Sequence, residues 1–107
     1  MSEQFVVIEG VVGSDAQGFS VHRRSARDGQ DRYLAYIGLR DGSGLIWQEI
    51  EMSHEQAGRV DGVLVSGNTV RVSGLLKKQL GLPLCRVQAD SVQLIRATQP
   101  AALHKAA

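Results

Sequence analysis

Between Leu45 and Leu76 the chain reads as strand, short helix, glycine turn, strand, and few small folds accept that order. Leu45 to Met52 is the first of these strands and carries the sole tryptophan, Trp47. Ser53 suits a helix N-cap, with Gln56 three residues on in capping-box spacing, so a short helix is expected over Ser53 to Val60. Val63-Leu64-Val65 continues it or runs on irregularly. Ser66-Gly67-Asn68 turns the chain into a second strand, Thr69 to Leu76, which is left through another glycine, Gly74. Such an order is the middle of a small five-stranded barrel.

The flanking segments supply the other strands. Phe5 to Val12 is dense in β-branched residues and favours a strand, with Gly10 placed for a bulge or sharp bend. Residues 20–31 are polar, arginine-rich and without clear period, which predicts a long loop with a short strand around Phe19 to Arg23. Arg32 to Arg40 is the next firm strand, and Asp41-Gly42-Ser43-Gly44 is a turn that makes it a hairpin with Leu45 to Met52. If Arg40 stands opposite Leu45, Tyr36 and Gly38 share a face with Trp47, Glu49 and Glu51. Ala35, Ile37, Leu39, Ile46, Ile50 and Met52 then form the interior face, and Tyr33 goes with the core. Lys77 to Pro83 reads as a loop. Leu84 to Ile95 is the last strand, bent at Ala89-Asp90-Ser91.

Five short strands with one helix between the third and fourth give an all-β chain laid out as an OB-fold barrel. An immunoglobulin-type sandwich needs more strands than the length supplies. At 107 residues the chain is one domain, residues 1–97, followed by a tail, 98–107, that has no core pattern. No apolar run approaches the roughly 20 residues that span a membrane, and the N-terminus carries no signal-peptide pattern. One cysteine, Cys85, forms no disulfide within the chain and fits a core position in a reducing cytoplasm. His22, His54 and His104 lie on separate segments without metal-ligand spacing, and no phosphate-loop motif is present. Asp15 reads as a turn former rather than an acid catalyst. The expectation is therefore a non-enzymatic protein without metal or cofactor.

The net charge is only +1, but the charges come in blocks. Residues 1–18 carry −3, residues 19–40 carry +3, residues 41–70 carry −4 and residues 71–86 carry +4. Both basic blocks fall where the two oligonucleotide-gripping loops of an OB-fold belong.

Three stretches carry a resemblance. Ile8-Glu9-Gly10-Val11-Val12-Gly13-Ser14-Asp15 looks like an opening strand ending in Gly-x-x-Gly-x-Asp. Trp47-Gln48-Glu49-Ile50 and Gly67-Asn68-Thr69-Val70-Arg71-Val72-Ser73-Gly74-Leu75-Leu76 follow in matching order and spacing. Over roughly residues 5–96 the chain resembles the bacterial single-stranded DNA-binding protein family, and in size its small relative, primosomal replication protein N. The resemblance implies sequence-independent single-stranded DNA binding in replication, replication restart or recombination, with a homodimer or tetramer as the assembly. Replication or recombination proteins would be its partners. The chain departs from the housekeeping members in its short tail, which ends His104-Lys105-Ala106-Ala107 rather than in an acidic, hydrophobic tip.

The candidate contacts follow from chemistry. Trp47 would stack bases, with Tyr36 as a second platform and Phe19 as a third; its bland alternative is burial under a loop or in a subunit interface. Arg23, Arg24 and Arg27 beside His22, and Lys77 with Lys78, would hold phosphates; their alternative is a solvated loop. RNA is a narrower variant of the same binding. The rival reading is a protein-interaction OB module, in which Glu49, Glu51 and Glu55 meet a basic partner and Trp47 anchors the interface. Glu49 and Glu51 beside Trp47 are unexplained by nucleic-acid binding, because carboxylates repel phosphates.

Overall fold

The computed structural model describes residues 4–25, 29–42, 44–78 and 85–98, the side chains of Ser25, Asp41, Lys78 and Cys85 excepted. The order of elements is β1 (Gln4–Val12), β2 (His22–Ser25), β3 (Asp31–Asp41), β4 (Gly44–Ser53), α1 (His54–Arg59), β5 (Thr69–Lys78) and β6 (Cys85–Arg96). Around the sheet the order is β1-β5-β6-β4-β3-β2. β1 runs antiparallel to β5 from Gln4 to Val11, then meets β3 at Val11–Gly38 and Val12–Ile37. This second pairing closes β1, β3, β4, β5 and β6 into a barrel, with the parallel β4–β6 pairing completing the ring. β2 is an extra strand on the same edge of β3 that β1 uses, covering Asp31 to Leu34.

Two glycines permit the curl. A Cβ at Gly10 would strike the carbonyl oxygen of Gly38 just where β1 swings from β5 to β3. One at Gly74 would strike the Gln88 carbonyl, beside the register shift between Ser73 and Gly74 that bends β6 near Asp90. A bulge adds local twist, and a small barrel needs that twist to close.

The core is β-branched and tightly shared among strands. Val12, Ala35, Ile37, Ile50, Met52, Val70, Val72 and Val87 are all buried, and Val60 and Leu64 plug the barrel from the connection after α1. Ser53 caps α1 by accepting a hydrogen bond from the Gln56 N–H through its hydroxyl, 3.2 Å. Asn68, the one buried polar side chain among the described residues, ties three segments together. Its amide donates to the Val63 carbonyl and accepts from the Thr98 N–H, while its own carbonyl accepts from Val12. Among the described residues, no helix is long and apolar enough to cross a membrane.

The hairpin register is the expected one, Arg40 opposite Leu45 and Tyr36 opposite Glu49. Ala35, Ile37, Ile50 and Met52 point inward as expected, and Tyr33 packs against the core with its hydroxyl 2.9 Å from His54 Nδ1. Ile46 does not: it is 52% exposed. It has the inward parity, but β1 closes on β3 at Ile37 and Gly38, and the Leu39–Ile46 pair lies beyond that closure toward the hairpin tip. Two expected loops are strands in part. The arginine-rich segment contains β2, displaced from Phe19–Arg23 to His22–Ser25, and Lys77 and Lys78 are the last residues of β5. Pairing explains both, since β2 lies on β3 and Lys77 and Lys78 stand opposite Arg86 and Cys85. The tail from 99 and the Cys85 side chain lie outside the described residues.

Candidate nucleic-acid interface

Residues paired directly across a sheet present their side chains to the same face. One row crosses four strands: Tyr36 on β3, Glu49 on β4, Arg86 on β6 and Lys77 on β5. A second row runs His22, Leu34, Glu51, Gln88 and Leu75. Gly38 with Trp47, and Arg24 with Arg32, extend the same face at its two ends.

Trp47 is 52% exposed, and glycine creates its position. Cβ atoms built on Gly13 and Gly38 would stand 2.7 and 2.9 Å from its Cζ3, so the indole rests on two bare stretches of backbone. Larger residues there would displace it. Beside the ring opens a cleft of about 320 Å³ lined by Gly13, Ser14, Asp15, His22, Tyr36 and Trp47. Asp15 shapes its rim. One carboxylate oxygen accepts from the N–H groups of Gln17 and Phe19, each at 2.9 Å, and the other lies 3.6 Å from His22 Nδ1. Asp15 is thus the turn former its sequence context suggested. The His22 ring tilts against Tyr36 with centroids 6.2 Å apart.

The acids next to Trp47 have partners. Glu49 accepts from the Tyr36 hydroxyl, 3.1 Å, and from Arg86 Nε. Glu51 lies 3.5 Å from Arg86 Nη1 and 3.8 Å from Arg32 Nε. All these charged side chains are more than half covered. Burial, and then the Glu49 charge and hydrogen bond, push the Tyr36 phenol above its ordinary value, against the pull of Arg86 and Arg24. Glu55 pairs along the helix with Arg59, 3.2 Å. Glu49, Glu51 and Glu55 thus each have an arginine partner within the molecule.

The candidate residues separate by strand parity. Trp47, Tyr36, Arg24 and Lys77 share the face. Arg23 has the other parity on β2, opposite Tyr33, and pairs with Asp31 at 3.1 Å. Phe19 is 64% exposed in the β1–β2 connection and does not line the cleft. Arg27 and the Lys78 side chain lie outside the described residues. Arg86 also belongs to this face, and the sequence does not single it out. Only the parallel β4–β6 pairing brings it beside Glu49, and no local pattern announces such a pairing. Among the described residues, no group of three or more His, Cys, Asp or Glu side chains is placed to hold a metal ion.

No family model and no curated relative matches the sequence. Solved structures do match the fold. The mitochondrial single-stranded DNA-binding protein Rim1 of S. cerevisiae superposes with a TM-score of 0.73 at 13% identity, covering 91% of this chain and 100% of that one. The small single-stranded DNA-binding protein of Streptomyces coelicolor gives 0.64 at 19% identity, covering 92% and 99%. The N-terminal domain of PriB from Thermoanaerobacter tencongensis, described as dimeric, gives 0.64 at 16% identity, covering 87% and 97%. What the chain has in common with these proteins at such low identity is the fold.

Proposed function

We propose that this protein binds single-stranded DNA with little sequence preference and performs no catalysis. The observation that carries the proposal is Trp47, half exposed on its glycine seat, on the same sheet face as Tyr36, Arg24 and Lys77. A base can lie on the indole and a second on or against Tyr36, each stacking contribution being about 1–3 kcal/mol and indifferent to base identity. Phosphates pass Arg24 and Lys77 at the margins of the face. Arg23, Arg27 and Lys78 are further candidates for phosphate contacts, and Phe19 for stacking. The fold shared with proteins named as single-stranded DNA-binding supports the same reading. The setting is cytoplasmic, where single strands are exposed in replication, replication restart or recombination.

The assembly we infer is a homodimer through β1. Among the described residues, Gln4–Gly10 has a strand neighbour on one side only, β5, and Phe5 and Val7 stand 59% and 58% exposed on it. An open edge carrying apolar side chains is a template for a second strand.

The test is a titration of fluorescent oligo(dT) at two salt concentrations, with the tryptophan emission followed in parallel. Binding at low salt that weakens as salt rises, with quenching of Trp47, is expected. Trp47→Ala should weaken it by the stacking term, roughly 5- to 150-fold, and leave the salt dependence unchanged. Absence of binding at low salt overturns the proposal.

A further inference from the structure

Two carboxylates sit at the centre of a face proposed to receive a polyanion. Glu49 and Glu51 occupy the β4 positions immediately after Trp47 on that face, with side chains 22% and 18% exposed. Their arginine partners, Arg86 and Arg32, come from β6 and β3, so the cluster is built from three strands. A phosphate approaching Arg86 meets both carboxylates already in contact with the guanidinium. It must displace them or lie against like charge. A base laid on Trp47 or Tyr36 faces neither demand, and the Tyr36 ring is steadied by its hydrogen bond to Glu49.

The two forms of DNA bring different groups to a flat face. A single strand can turn its bases to the sheet and its phosphates to solvent. A duplex has its bases stacked on one another and lays phosphates on the face. Because the carboxylates already hold Arg86 and Arg32, the centre gives incoming phosphates no net attraction, and that loss falls on the duplex far more than on the single strand. We propose that Glu49 and Glu51 determine specificity by excluding duplex nucleic acid from the Trp47 face, the attractive cations being answered at the centre by carboxylates. Discrimination through an element that penalises the competitor is a general route to specificity, because it weakens the wrong partner without requiring a new contact to the right one. The inference rests on the single-strand reading above and adds the residues that reject the competitor.

The experiment compares wild type, Glu49→Gln/Glu51→Gln and Glu49→Asp/Glu51→Asp on oligo(dT) and on a duplex of equal length, at several salt concentrations. Glutamine keeps the size and the acceptor for Tyr36 and Arg86 but removes the charge. The double glutamine variant should bind the duplex about tenfold more tightly or better, and the single strand no more than about threefold more tightly. Its duplex salt slope should steepen by about 0.9 for each phosphate newly met. The aspartate variant should keep the wild-type preference, since charge rather than side-chain length carries the effect. Should circular dichroism show the double variant unfolded, Glu51→Gln alone, which leaves the Tyr36 contact intact, should give a smaller change in the same direction. An unchanged ratio of duplex to single-strand affinity overturns the inference, and so does an equal rise or an equal fall for both DNAs. Wild type that binds neither DNA overturns the single-strand reading. If the glutamine variant then gains duplex binding, the exclusion stands without it; if it also binds nothing, both fall.

Discussion

The indole of Trp47 lies over Gly13 and Gly38, and at Gly38 the atoms nearest a built Cβ all belong to that ring. Because the ring is half exposed, it can move away while the barrel stays. Gly38→Ala should therefore shift the tryptophan emission and weaken oligo(dT) binding toward the level of Trp47→Ala. Its urea-unfolding free energy should stay within about 1 kcal/mol of wild type. A large loss of stability with unchanged emission would contradict the seat. Tyr36 gives a second test. Burial first, and the Glu49 charge and hydrogen bond after it, raise the phenol above 10.0 in the folded state. A group whose folded value is raised contributes stability that is complete below the unfolded value and is lost as pH rises through the folded one. Unfolding free energy should thus fall as pH climbs above 10.0. In a Tyr33→Phe background, the phenolate absorbance of Tyr36 should have its midpoint above 10.0, and Glu49→Gln should lower that midpoint while burial keeps part of the shift. A midpoint that ignores Glu49→Gln would remove the carboxylate from the account. Trp47 and Tyr36 were legible as a pair from the hairpin alone, since alternation and the Asp41–Gly44 turn fix their shared face. Arg86 was not, because its neighbour Glu49 is 37 residues away in sequence.

At the scale of the element, β1 depends on Gly10 in a way that Gly38 does not share. A Cβ at Gly10 would meet the Gly38 carbonyl oxygen and lie 2.9 Å from Ile37 Cγ2. Backbone on a paired strand cannot swing aside as an indole can. Gly10→Ala should cost about 1–3 kcal/mol, read as a lower urea midpoint, and should open the β1–β3 closure first. Protection of the Gly13 N–H, which donates to the Tyr36 carbonyl just past that closure, should fall in hydrogen exchange. A midpoint equal to that of Gly38→Ala would contradict this. The helix was readable in Ser53 and Gln56 because capping is local chemistry. The sequence does not locate β2, because His22-Arg23-Arg24-Ser25 has little apolar alternation and is a strand by virtue of pairing with β3. Lys77 and Lys78 read as loop in the sequence for the same reason: a lysine pair at a strand end has no pattern of its own, and Arg86 and Cys85 opposite them complete the ladder.

For the whole molecule, the proposed dimer has a simple test. Val7→Asp puts a charge on the exposed side of the β1 edge, opposite Ser73 within the barrel and away from the core cluster. Sedimentation should show a dimer for wild type and a monomer for the variant, with unchanged circular dichroism. A monomeric wild type, or a variant that stays dimeric, would take β1 out of the assembly. The sequence by itself determined the barrel strands, the hairpin register, the capped helix and the half-polar face bearing Trp47. Each of these follows from side-chain period, capping or turn chemistry, which act over a few residues. Only the tertiary structure decided that the parallel β4–β6 pairing sets Arg86 against Glu49 and Glu51, that parity divides Arg24 from Arg23, and that Ile46 falls beyond the closure. These depend on which strands meet in space, and contacts between residues far apart in the chain exist only once the barrel has closed.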